Sequence, residues 1–156
     1  MNKKILIAFD ESENAKKTVS FVAEHFDKDH EITLFHVVSD IAAVCGMDDP
    51  SLTPYFKSER NSFCRIEEHK KKIVSDILNE AKNKLHHADF NPDKIEVKIQ
   101  TQEKGVAADI IQEAKKGYNM VAMGRTANSG IKHFLMGGTA QKVLHGLENI
   151  PVLIFD

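Results

Sequence analysis

Tryptophan is absent from the chain, tyrosine occurs twice, and there are only two cysteines. Two cysteines cannot build a disulfide framework, and Cys45 and Cys64 form no CxxC pattern. Unpaired thiols in a reduced, cytosolic setting are expected. Long apolar runs are missing too. None approaches the ~18 residues needed to cross a bilayer. The run Ile5 to Phe9 is cut off by Asp10, too early for the core of a signal peptide. Charge is not dominated by one sign. A formal net charge of −2 gives no global pull toward nucleic acid or an anionic membrane. The basic run Lys70 to Lys72 falls in a helical pattern and reads as a solvated face.

Chemistry-bearing patterns are also scarce. No pair of histidines has HExxH spacing, no cysteine stands near them in a zinc pattern, and GxSxG is absent. Ser12, Ser129 and Cys45 have no evident base. Asp48 and Asp49 would disfavour a Cys45 thiolate. Neither a metal held by protein ligands nor a covalent catalyst is expected, and the chain is not read as an enzyme.

What remains is ordinary globular composition, 42% hydrophobic and 28% charged, in a length that suits one domain over residues 1–156. Ile5 to Phe9 is apolar on both faces, as in a central parallel strand. Asp10 or Ser12 can cap the helix that follows, where Ala15, Thr18, Val19, Val22 and Phe26 recur at helical spacing. Ile32 to Val38 is a second buried strand. Ser39 to Ser58 has no clean period and is a flap or disorder, with a helical turn over Ile41 to Val44 as one option. Glu59 to His87 reads as a long helix with Phe63, Ile66, Ile73, Ile77, Ala81 and Leu85 on its apolar stripe. Lys94 to Thr101 alternates, as an edge strand does. Val106, Ala107, Ile110, Ile111 and Ala114 mark the next helix, which stops at Gly117. Asn119 to Met123 is a strand. Gly138 to Gly146 is the last helix, with Ala140, Val143, Leu144 and Leu147 inward, and Pro151 to Phe155 the last strand.

This alternation predicts an α/β fold: an open five-stranded parallel sheet with helices on both faces. Ligands of such sheets sit at the carboxyl ends of the strands, where the strand order reverses. Asp10, Val38 and Gly124 stand at three such ends. The stretch from Met120 to Thr139 then draws attention. An apolar run ends in Gly124, a polar loop follows, and Gly137-Gly138-Thr139 opens a helix. A helix N-terminus suits an anion. Yet the spacing is neither a P-loop nor GxGxxG, and a tight turn accounts for the glycines as well as a phosphate site does.

With the first strand, this stretch resembles the universal stress protein family. That family's fingerprint is a glycine, two residues, a second glycine, nine residues, then Gly-Ser or Gly-Thr; its first strand ends in an Asp-Gly-Ser-like triplet. Asp10-Glu11-Ser12 matches apart from its middle residue, and His36-Val37-Val38, Gly105 and Met123-Gly124-Arg125 match as well. Gly124 and Gly137 keep the fingerprint. Ala127 replaces its second glycine, and Gly138 stands at the Ser/Thr position with Thr139 one step later. The resemblance implies an adenine nucleotide alpha-hydrolase-like fold with strand order 3-2-1-4-5, and a cytosolic, ATP-binding regulator, at most a slow ATP hydrolase. It further implies a nucleotide set of Asp10, Val38, Met123, Gly124, Arg125, Ala127, Gly137, Gly138 and Thr139, with magnesium or manganese held through the phosphates. Modification of Thr126 or Ser129 and a homodimer paired through the last strand are implied as well. The alternative is a dimer that binds no nucleotide and works through protein contacts.

Overall fold

The computed structural model describes residues 3–38, 45, 51, 53–125 and 136–156. Its elements are β1 (Lys4–Ala8), α1 (Glu13–His25), β2 (Glu31–Val38), α2 (Pro54–His87), a 3-10 turn (Pro92–Lys94), β3 (Ile95–Thr101), α3 (Val106–Ala114), β4 (Met120–Gly124), α4 (Gly138–Gly146) and β5 (Val152–Phe155). The strands form one parallel sheet in the order β3-β2-β1-β4-β5, the order that the resemblance implies. β1 is central because its residues are apolar without alternation. Ile5 and Ile7 point into one core layer with Val19 and Val22 of α1 and Leu78 and Leu85 of α2. Leu6 and Ala8 point into the other, with Ile110 and Ala114 of α3 and Ala140 and Val143 of α4.

Local chemistry sets the element ends. Ser12, not Asp10, is the N-cap of α1: its Oγ accepts from the Ala15 N–H at 3.1 Å. Asp10 acts one step earlier, its Oδ1 accepting the Ser12 N–H at 2.8 Å. α3 has no side chain at its glycine N-cap. Instead the buried Asp109 accepts the N–H groups of Glu103 and Lys104 at 2.8 and 3.0 Å and folds that loop onto the helix.

The structure corrects four expectations. α2 begins at Pro54, capped by Thr53, rather than at Glu59. Its inward face carries Val74, Leu78, Ala81 and Leu85, whereas Phe63, Ile66 and Ile73 are exposed. The buried residues of the helix begin at Val74, and the apolar residues further out find no core among the described residues. In α4, Leu144 is exposed while Ala140, Val143 and Leu147 are inward. Finally, the two cysteines are not free: Cys45 and Cys64 are joined in a disulfide, with their Cα atoms 5.9 Å apart. The expected turn at Ile41 to Val44 and most of the Ser39 to Ser58 stretch lie outside the described residues.

One polar cluster interrupts the second layer. Glu113 is 3% exposed, with its two carboxylate oxygens each 2.9 Å from Lys98 Nζ and one of them 2.7 Å from Lys116 Nζ. The Tyr118 hydroxyl lies 3.1 Å from both Glu113 and Thr33. A carboxylate can only accept, so Tyr118 donates to Glu113 and accepts from Thr33. Burial pushes the Glu113 carboxyl up, but the hydrogen bonds from Lys116 and Lys98 outweigh it and hold it below its usual range. Burial, with the Glu113 charge, pushes the Tyr118 phenol up to about 12.

Candidate functional site

A cavity of about 400 Å³ opens at the carboxyl ends of β1, β2 and β4. This is the edge where β1's two neighbours, β2 and β4, continue the chain in opposite directions across the sheet. Asp10, Val38, Met123, Gly124, Arg125, Gly137, Gly138 and Thr139 all line it. Eight of the nine nucleotide positions implied by the resemblance are therefore brought to one place. The ninth, Ala127, lies outside the described residues, as do Thr126, Ser129 and Lys132.

The floor is built by main chain. Gly124 ends β4 against the first turn of α1: a Cβ there would sit 2.8 Å from Asn14 Cβ and 3.2 Å from the Asn14 carbonyl carbon. That glycine is fixed by close helix–strand approach, whether or not a ligand is present. Arg125 is held on both sides. Its N–H donates to the Phe155 carbonyl at 2.7 Å, and its carbonyl accepts the Gly137 N–H at 2.8 Å. The Gly137 amide is thus committed to the fold. Its guanidinium Nη2 lies 2.8 Å from Asp156.

The amides one step further on differ. Gly137 is the N-cap of α4 and makes no side-chain cap hydrogen bond, and Gly138, Thr139 and Ala140 of the first turn line the cavity. The first N–H groups of a helix have no intrahelical partner and carry the positive end of its dipole. A Cβ built on Gly138 meets nothing within 4 Å, so space remains in front of them.

The opposite wall is more varied. Val38 presents its side chain, since its carbonyl already accepts the Gln102 N–H at 2.7 Å. His36 is buried, with Nδ1 2.7 Å from the Phe9 carbonyl. A carbonyl only accepts, so Nδ1 carries the proton. Phe35, Ile110 and Met123 make the wall apolar, and α2 adds Val74 with Glu67, Lys70 and Lys71 at the rim. Sequence reading missed the α2 contribution: Lys70 and Lys71 read as a solvated face, yet they border the cavity. The signal was the α2 phase, since Lys71 precedes the buried Val74 by three residues and shares its side of the helix.

Among the described residues no group of three or more His, Cys, Asp or Glu side chains converges as a metal site, and no helix is long and apolar enough to cross a membrane.

Solved structures of the same shape include universal stress protein UspA from Lactobacillus plantarum, with a TM-score of 0.69 at 16% identity, covering 99% of this chain and 97% of that one. A universal stress protein from Archaeoglobus fulgidus in complex with dAMP matches with a TM-score of 0.59 at 17% identity, covering 99% and 98%. A universal stress protein in complex with cAMP matches with a TM-score of 0.62 at 14% identity, covering 98% and 95%. At such identities the likeness establishes the fold. A comparison with curated proteins found no match. The model of the universal stress protein family matches residues 1–156, and the chain belongs to that family.

Proposed function

We propose that this chain is a regulatory protein that binds an adenine nucleotide, ATP in the first instance, in the cavity between Asp10 and the N-terminus of α4. One observation carries the reading: the first-turn amides of α4 belong to Gly138, Thr139 and Ala140, which line a cavity of about 400 Å³, and the N-cap Gly137 makes no side-chain cap hydrogen bond. The phosphates would lie against these amides. The base and ribose would lie toward Asp10 and Val38, against the apolar wall of Phe35, Val74 and Ile110. Arg125 adds positive charge at the phosphate end by exchanging Asp156, a 69% exposed partner, for the ligand. Magnesium or manganese fits as a companion of the phosphates, since the amide cradle leaves their outer oxygens to a cation. Related proteins crystallised with dAMP and with cAMP support an adenine ligand.

Among the described residues the cavity offers no nucleophile with an aligned base, so binding is read as a change in shape or partner affinity, not as fast chemistry. In this reading residues 1–156 act as one domain, in the cytoplasm, as part of a stress response. They pair through β5, an edge strand whose outer side has no partner among the described residues.

Thermal unfolding with and without magnesium and ATP tests the proposal. A site filled at a hundredfold over its Kd adds about 2.7 kcal/mol. A Tm unmoved by millimolar ATP rejects it. Asp10→Ala should remove the shift; if the shift survives, the nucleotide lies elsewhere.

A further inference from the structure

The outer half of α2, before Val74, carries a stripe turned to solvent. Phe56, Glu59, Phe63, Ile66, Lys70 and Ile73 follow one another at alternating steps of three and four residues, the spacing of a helix-to-helix seam. All six are exposed, the four apolar ones by 42–55%. Single apolar residues are common on a solvated face, whereas several in one line form the kind of patch that marks a contact surface. Cys64, which holds the bridge to Cys45, falls off the stripe, at the spacing of Glu67, Lys71 and Val74.

The order of residues along the stripe says what fits it. From either end it runs apolar, charged, apolar, apolar, charged, apolar, but the charge is negative near one end and positive near the other. A second copy laid antiparallel sets Phe56, Glu59 and Phe63 against Ile73, Lys70 and Ile66 of the partner subunit. Every layer is then apolar on apolar or opposite charge on opposite charge, and two-fold symmetry makes each occur twice. Laid parallel and in register, the stripe would set Glu59 against the partner's Glu59 and Lys70 against the partner's Lys70, which repels. Lys70 has room to reach across: its Nζ is 3.1 Å from Glu67 on its own helix, and its side chain is 63% exposed. Glu59 makes no hydrogen bond or ion pair among the described residues.

We propose that the outer half of α2 docks on the same face of a second copy of this chain, the two helices antiparallel about a two-fold axis between Cys64 and Arg65. The seam is about 26 Å long at about 1.5 Å per residue. That is a small interface, in the class below about 1,200 Å² that forms and dissolves readily. It is separate from the β5 edge and does not rest on the nucleotide reading.

Charge exchange in the full, oxidised chain tests the pairing. Sedimentation equilibrium, from low micromolar to millimolar concentration, compares wild type, Glu59→Lys, Lys70→Glu and the chain carrying both exchanges. In an antiparallel pair each single exchange opposes like charges twice, and the double exchange restores both attractions. Wild type and the double exchange are expected to associate alike, and each single exchange about tenfold more weakly. An equimolar mixture of the two single-exchange chains should associate as well as wild type, and molar salt should shrink all these differences. Ile66→Glu, at the centre of the seam, should remove the step altogether. If β5 also pairs the chain, the same step appears as dimers becoming tetramers and responds in the same way. Equal association of all four chains overturns the proposal and assigns the contact to another surface, β5 included. No concentration-dependent step in wild type up to millimolar also overturns it, and leaves the stripe to another segment of this chain or to a different protein.

Discussion

A methyl group placed on Gly124 would lie 2.8 Å from the Cβ of Asn14, closer than two carbon atoms can stand. The nearest obstacles include α1 main chain as well as a side chain, so the helix itself must back away. Gly124→Ala is expected to lower stability by about 1–3 kcal/mol, the usual range for overpacking. Urea unfolding measures it. A loss below about 0.5 kcal/mol, the size of an ordinary surface change, would mean that α1 does not press on the end of β4.

Gly138 is the opposite case. A Cβ there meets nothing within 4 Å among the described residues, and the resemblance sets it against the Ser or Thr of the family fingerprint. Gly138→Ser should fold normally and return a hydroxyl to the mouth of the amide cradle. A hydrogen bond to a charged group contributes about 1.5–3 kcal/mol, so ATP affinity should rise by about ten- to a hundredfold. Calorimetric titration decides. Unchanged affinity would indicate that Thr139 already fills the role or that the phosphates lie elsewhere.

The helix α2 separates what patterning can and cannot tell. Leu78 is fully buried, whereas Ile66 is 55% exposed, although Ile66 falls on the apolar stripe drawn from spacing. Leu78→Ala should cost about 2.7–5 kcal/mol, and Ile66→Ala less than about 0.5 kcal/mol. Equal costs in denaturant unfolding would place a second packing surface over the outer half of α2.

That contrast explains the limits of the sequence reading. The parallel sheet and its two core layers were legible because β1 and β2 are apolar without alternation, which only a doubly covered sheet accommodates; the strand order came with the resemblance. The strand-end residues Asp10, Val38 and Gly124 were legible for the same reason, since topology alone carries them to one edge. How far along α2 the packed face extends was not legible. Nothing local tells a helix where the sheet beneath it stops, so Phe63 and Ile66 looked as inward as Ala81 and Leu85. The pairing of Cys45 with Cys64 is a matter of tertiary distance, to which spacing is blind. The Gly137 amide looked available for phosphate, and only its 2.8 Å bond to the Arg125 carbonyl shows it to be engaged.

The cluster around Glu113 gives a stability profile on the alkaline side. Tyr118 is pushed from an ordinary 10.0 up to about 12, mainly by burial. Its folded value therefore exceeds its unfolded one. The neutral phenol contributes stability that is whole below pH 10.0 and is lost as pH rises through about 12. Tyr118→Phe keeps the ring but removes the hydroxyl, and should flatten that decline. Urea midpoints of both proteins between pH 9.5 and 11.5 test this, and parallel curves would reject it.

On the acid side the sign reverses. The Glu113 carboxyl is held below its ordinary 4.5 by Lys116 and Lys98, against the opposing effect of burial. Its folded value lies under its unfolded one, so the stability it contributes is complete above 4.5 and drains away as pH falls through the folded value. Glu113→Gln keeps the shape, removes the charge and leaves Lys98 and Lys116 without their anion. Both lysines are partly exposed, 34% and 53% by side chain, so water takes over much of the loss. The expected cost at neutral pH is about 1–3 kcal/mol, that of charge-assisted hydrogen bonds rather than of a fully buried ion pair. The two proteins should converge in stability as pH drops below 4.5, because protonation does to wild type what the substitution does permanently. Curves that stay separated down to acid unfolding would show that the loss comes from altered packing around α3 and not from the missing charge.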